Sequence, residues 1–186
     1  MIALIPNLFA EIIPAQSAAG IALGLNFNTF KAVSDFQIIH DYEESDNLSY
    51  EQNKWLVLHR NLVQPSGHPI SEICCYWNKS ITLTFNADTN RLEFIYVGEG
   101  YQGKLLGLLG IGDLLDSVKI QYNFHFEGDR HYLEYTQDSS LAGEIIPVEI
   151  ETNYRIAYSE EYSDQIIQGF LIYLPPIERN DLNIIA

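Results

Sequence analysis

The segment ITLTFNADTNRLEFIYV, Ile81 to Val97, constrains the fold more than any other part of the chain. Two runs of alternating apolar and polar residues flank NADTN, and a strand turns successive side chains to opposite faces. The pattern predicts a β-hairpin. Ile81, Leu83 and Phe85 share one face. Leu92, Phe94 and Tyr96 share a face of the partner strand, with Arg91, Glu93 and Ile95 on its other side. A lone hairpin is marginal in water, so its apolar face needs further strands or helices. The chain supplies strand-like runs at FQIIHDY, KWLVLHR and EICCYW, the last two joined by a loop that Pro65, Gly67 and Pro69 punctuate. KIQYNFHFEGDRHYLEYTQD reads as a second hairpin turning at Glu127-Gly128-Asp129. EIIPVEIETNYRIAY places Ile146, Val148 and Ile150 on one face and Glu149 and Glu151 on the other, and DQIIQGFLIYLPPIERN ends in a strand stopped by Pro175-Pro176.

The stretch EGYQGKLLGLLGIGDLLDSV, Glu99 to Val118, is apolar and studded with glycine. As a phosphate loop it lacks the lysine and hydroxyl that follow the last glycine of such a motif, and GLLGIG departs from the dinucleotide-binding spacing. As a membrane span it is too short, and Lys104, Asp113 and Asp116 interrupt it. What remains is a structural corner, where glycine permits left-handed backbone and close approach. Its pattern echoes GIALGLNFNTFKAV, Gly20 to Val33: Gly-x-x-x-Gly, a turn, a polar residue, a short amphipathic helix, then strand. The helices fall at 28–34, capped by Asn28, and at 112–118, opened by Asp113. The fold predicted is α+β, a mostly antiparallel sheet with two short helices, in one compact domain 1–186 with two pseudo-repeated halves, 1–98 and 99–186.

Twenty-five acidic residues stand against 10 basic ones, for a net charge of −15. Nucleic-acid binding needs cations to displace counterions from phosphates, so that class is excluded, as is docking on anionic lipid. A basic protein partner, met by electrostatic steering, suits this charge. Apolar residues reach 47%, enough for a sizeable core. Cys74 and Cys75 are adjacent and would point to opposite faces of a strand, so they form no disulfide framework, and a reducing, cytoplasmic setting fits. The first basic residue is Lys31 and Glu11 interrupts the apolar start, so neither a signal peptide nor a membrane helix is expected.

Catalytic and metal signatures are missing. His40, His59, His68, His125 and His131 show no metal-ligand spacing, although His125 and His131 flank a turn and could face each other across it. There is no Gly-x-Ser-x-Gly, and a buried strand would blunt the two thiols. No catalytic residue, metal or cofactor is assigned. Two acidic clusters interleaved with tyrosine stand out: Asp41, Tyr42, Glu43, Glu44 and Asp46, and Tyr158, Glu160, Glu161, Tyr162 and Asp164. Carboxylates attract a basic surface over distance, and tyrosine anchors it with little entropy loss.

FIYVGEGYQGKLLGLLGIGDLLDSV resembles bacterial immunity proteins of the contact-dependent growth inhibition or polymorphic-toxin type. The matching residues are Tyr101-Gln102-Gly103-Lys104, Gly110-Ile111-Gly112-Asp113 and Val118, with the 81–97 hairpin in keeping. The resemblance spans residues 80–150 and carries fold rather than partner identity. It implies a non-enzymatic protein that binds a cognate toxin domain, commonly a basic nuclease, and blocks its active site or substrate groove. The two acidic clusters are then the expected contact surface. The alternative is a small-molecule-binding or enzymatic β-rich domain with an aromatic-lined cavity.

Overall fold

Both predicted hairpins form, and the rest of the sheet grows from them. The computed structural model describes residues 4–39, 51, 53–63, 69–136 and 139–175. Among these, the strands are β1 (Ser17–Ala18), β2 (Ile21–Ala22), β3 (Phe36–Ile39), β4 (Trp55–Val63), β5 (Pro69–Trp77), β6 (Ile81–Asn86), β7 (Arg91–Val97), β8 (Tyr122–Glu127), β9 (Arg130–Tyr135), β10 (Val148–Thr152) and β11 (Ile167–Tyr173). The β8–β9 turn has Gly128 and Asp129 at φ 57° and 64°, the geometry of a two-residue hairpin loop that follows the twist of its strands. In the β6–β7 turn, Asn86 Oδ1 accepts the amides of Asp88 and Thr89 at 3.0 Å each.

The chain is mostly β-sheet. β1 and β2 form a small hairpin of their own. The other nine strands make one mixed sheet in the order β3-β4-β5-β6-β7-β11-β10-β9-β8, antiparallel except where β3 runs parallel to β4. β4 to β7 form one four-stranded meander and β8 to β11 a second. They join through their last strands, with Phe170 opposite Val97 and Ile172 opposite Ile95. Read outward from the β7–β11 seam, the strand succession is the same on both sides.

Among the described residues one α-helix is present, α1 (Phe27–Ala32), against an expected span of 28–34. Its cap is Asn26, not Asn28: the Asn26 side chain accepts the Asn28 amide at 2.9 Å. Six residues are too few to hold a helix by propensity, so α1 persists by burying Phe27 and Phe30 against the sheet. The second expected helix is a short 3₁₀ turn, Leu115–Val118, without a side-chain cap. Asp113 is spent earlier, accepting the Gly110 amide at 2.8 Å and pairing with Lys104 at 3.4 Å, so it closes the glycine turn instead of opening a helix.

The glycine-rich stretch is a corner that ties the N-terminal segment to the chain leading into the second meander. The Gln102 and Gly103 amides donate to the Leu8 carbonyl at 2.8 and 3.1 Å, and the Ile12 amide donates to Lys104 O at 2.9 Å. Tyr101, almost fully buried, donates its hydroxyl to Ala10 O at 2.5 Å and accepts the Ala19 amide at 2.9 Å. The N-terminal segment is thus strapped over the sheet by the segment that leads into the second meander. Under the strap lies one continuous core. It includes Ile12, Ile21 and α1 above the sheet, Trp55, Val57, Cys75, Leu83, Phe85, Ile95, Phe170 and Ile150 within it, and Leu105, Leu109 and Leu115 closing the far end.

Candidate protein-docking face

Strand periodicity divides the nine-stranded sheet into two unlike faces. One carries the core. On the other, the register brings Thr82, Tyr96 and Leu171 into one cross-strand row, and Thr84, Phe94 and Tyr173 into the next. Glu149 lies beside Leu171 and Glu151 beside Gly169. All are half-buried except the fully covered Gly169, and no helix lies over them among the described residues. At the β4–β5 end of this face Leu56, Leu58 and Cys74 are buried, so the aromatic and acidic surface begins further along, at Tyr76.

A β-bulge produces this face. The β6–β7 register shifts between Thr84 and Phe85: Phe85 pairs with Leu92, but Thr84 pairs with Phe94. Glu93 is the extra residue, and from it onward the strand's sides exchange. Ile95 and Val97 join the core, whereas Phe94 and Tyr96 face outward. Uniform alternation puts Phe94 and Tyr96 with Leu92, and Ile95 with Glu93; the bulge reverses this for residues 94–97. The fully apolar pair Ile95 and Val97 was the available signal for the shift.

Two carboxylates on β10 organise the surface differently. Glu151 accepts the Tyr96 hydroxyl at 2.9 Å and pairs with Arg130 at 3.6 Å. Tyr96 reaches it by lying in a slot between glycines: a Cβ on Gly169 would come within 2.3 Å of the hydroxyl oxygen, and one on Gly98 within 2.9 Å of the ring. Burial, and then the Glu151 carboxylate, keep this phenol protonated far above its ordinary range. Glu149 stands opposite Tyr132, near enough for its charge to act on the hydroxyl. Burial first, and then Glu149, push Tyr132 up to about 12. Tyr173 is raised by the same two causes. A pocket of about 410 Å³ opens here, lined by His125, Phe126, Glu127, Tyr132, Ile145 and Tyr173. A second groove of about 520 Å³ lies by Lys79, Tyr96, Glu99, Ile111 and Ile166.

The sequence-derived site residues that the structure describes lie elsewhere. Asp41, Tyr42, Glu43, Glu44 and Asp46 fall outside the described residues. In the second cluster, Tyr158 packs on the core side. Its ring meets Phe124 edge-on at 4.7 Å, and its hydroxyl donates to Asp116, which also holds Lys119 at 2.9 Å. Asp116 is lowered chiefly by that phenol and then by Lys119, and Tyr158 is raised chiefly by Asp116. Glu160 and Glu161 are exposed on a 3₁₀ turn, Glu160–Tyr162. The Tyr162 ring meets that of Tyr154 at 6.2 Å, tilted by 60°, and the Tyr154 hydroxyl lies 3.5 Å from Asp164. The loop between β10 and β11 thus sits over the core-side face, opposite the tyrosine–carboxylate surface.

The histidines at the second hairpin do not face each other. His125 is opposite Tyr132 and His131 opposite Phe126, so the two rings lie on different faces. His125 pairs with Glu134 on the outer side. His131 is buried on the inner side against Phe126, at 4.9 Å. Neither of its ring nitrogens reaches a hydrogen-bond partner among the described residues. Burial lowers its pKa from an ordinary 6.5, and the nearby Ile156 carbonyl opposes this only in part. The unfolded chain therefore binds this proton more readily than the folded one. Stability is at its full value above pH 6.5 and falls as the pH drops below it toward the folded pKa. Urea midpoints at pH 7.5 and 5.5 should show this loss, and His131→Phe should shrink it.

Cys74 and Cys75 point to opposite faces, as their adjacency on a strand requires, and both thiols are free and buried. Burial holds the Cys75 thiol well above its ordinary pKa, which suppresses the reactive thiolate. Pro69, expected in the preceding loop, is the first residue of β5, a position where its missing N–H costs little. Among the described residues no three His, Cys, Asp or Glu side chains group as metal ligands, and no helix is long and apolar enough to cross a membrane. No family model matches the chain, no curated protein is detectably similar to it, and no solved structure matches its fold.

Proposed function

We propose that this chain is a non-enzymatic inhibitor that binds a basic protein domain, in the manner of an immunity protein neutralising a cognate toxin such as a nuclease. The observation that carries this reading is the outer sheet face, where tyrosines alternate with carboxylates on a chain of net charge −15. Long-range attraction would raise the association rate, and carboxylates would occupy the groove where a nuclease expects phosphates. Half-buried tyrosines already held by hydrogen bonds pay little further entropy on docking, which makes them good anchors. The sheet face is the principal contact surface in this reading; the Tyr158–Asp164 cluster lies on the opposite side and would meet a separate part of the partner. The matching strand succession on either side of the β7–β11 seam supports the finer reading of two related halves, 1–98 and 99–186. Buried thiols on opposite strand faces fit a reducing compartment, the cytoplasm.

The test is co-expression with the open reading frame immediately upstream. The neighbouring product should be toxic alone, harmless with this chain, and recovered with it as a stable complex whose association rate falls steeply with added salt. Absence of both toxicity and complex rejects the reading.

A further inference from the structure

The carboxylates at the β8–β10 end of the outer face are not equivalent. Glu151 is neutralised by Arg130 and occupied by Tyr96, and Glu134 is engaged by His125. Glu149 lies two residues from Glu151 on the same side of β10, yet no cation pairs with it among the described residues. Its cross-strand neighbour is Tyr132, and the hydroxyls of Tyr132 and Tyr173 both lie near enough to feel its charge. A neutral phenol leaves a carboxylate's charge uncompensated. Next to Glu149, against Tyr132 and Tyr173, opens the 410 Å³ pocket, lined by these two tyrosines, Phe126, Ile145, His125, which is already paired with Glu134, and a second acid, Glu127.

We infer that this pocket receives one arginine side chain of a partner protein, with the guanidinium held by Glu149 and Glu127 and stacked on Tyr132 and Tyr173. Guanidinium suits such walls better than ammonium does. It is planar, weakly hydrated, able to lie on an aromatic face and able to present a fork of donors to a carboxylate. A neutral polar side chain would leave the Glu149 charge unpaired, and a carboxylate would be repelled. The inference deepens the inhibitor reading by naming where and through what chemistry a basic partner engages, and it rests on that reading for the partner's nature.

The experiment uses N-acetyl-arginine amide, with N-acetyl-citrulline amide as its uncharged counterpart, titrated into the full chain while tyrosine ring resonances are followed by NMR. The arginine probe should shift the Tyr132 and Tyr173 rings through the millimolar range, and citrulline should not. Glu149→Gln should weaken the response by about tenfold or more, the loss expected for a hydrogen bond to a charged group. Tyr173→Leu should weaken it as well, which keeps the test valid if one variant folds poorly. Equal shifts from the two probes, no response at these rings, or an undiminished response in Glu149→Gln would each overturn the inference. Failure of the inhibitor reading shows separately: arginine would still bind the pocket, but no neighbouring product would co-purify.

Discussion

Gly103→Ala should destabilise the fold by about 3 kcal/mol or more, whereas Gly110→Ala, seven residues on in the same glycine-rich stretch, should cost only a few tenths. The contrast comes from what each new methyl would meet. At Gly103 a Cβ would lie 1.8 Å from the Ala10 carbonyl oxygen and under 3 Å from the Tyr101 ring. That oxygen is backbone, and it accepts the Tyr101 hydroxyl, so it cannot give way without releasing the strap over the core. At Gly110 the nearest atoms are the Asp113 carboxylate at 3.5 Å and the Lys104 side chain at 3.6 Å, both in ordinary contact. Gly112→Ala should fall between them: the site is open, but φ is +88°, a conformation that costs an L-residue about 1–2 kcal/mol. Urea midpoints of the three variants give the ranking directly. If Gly103→Ala proves as mild as Gly110→Ala, the stretch is not the corner described here.

Some of this architecture was legible in the sequence because two of its signals are local. Alternation fixes strands without reference to the rest of the chain, as at Ile146, Val148 and Ile150, all of which are buried. Turn chemistry works likewise, as at Gly128-Asp129, where both residues adopt positive φ. The second helix was not legible in the same way. DLLDSV has helical spacing, but Asp113 is drawn into the glycine turn and the remaining residues close only a 3₁₀ turn.

The candidate site was harder to read for a different reason. A single bulge at Glu93 transfers Phe94 and Tyr96 to the outer face, and a bulge leaves almost no mark in a run of alternating residues. Glu149 and Glu151 were correctly placed opposite the core side of their strand. That β10 lies next to β11, and β11 next to β7, is non-local pairing that periodicity does not report. The acidic clusters are visible in the sequence because their charges are contiguous. The sheet surface is assembled from strands far apart in the chain, so no window of sequence displays it.

Phe30→Ala should cost about 3–5 kcal/mol, lowering the melting temperature by about 10 °C or more. Phe30 is fully buried, and its ring meets Trp55 at 5.3 Å, Phe85 at 5.4 Å, Phe36 at 5.7 Å and Phe27 at 6.3 Å. Truncation removes the ring that holds α1 to the first meander and leaves a cavity bounded by rigid aromatic neighbours, which collapse poorly. The same variant tests how the halves are joined. Both tryptophans, Trp55 and Trp77, lie in the first meander, 5.2 Å apart, so fluorescence reports that half, whereas far-UV circular dichroism reports the whole sheet. The β7–β11 seam makes the sheet continuous, and the strap from Leu8 to Lys104 crosses between the halves on the core side. Loss of the first meander therefore exposes apolar edge and face of the second, and the two probes should report one coincident transition in Phe30→Ala as in the parent chain. A fluorescence transition that precedes the dichroism transition would show the second meander standing alone, and the seam would then be a contact between two independently folding units.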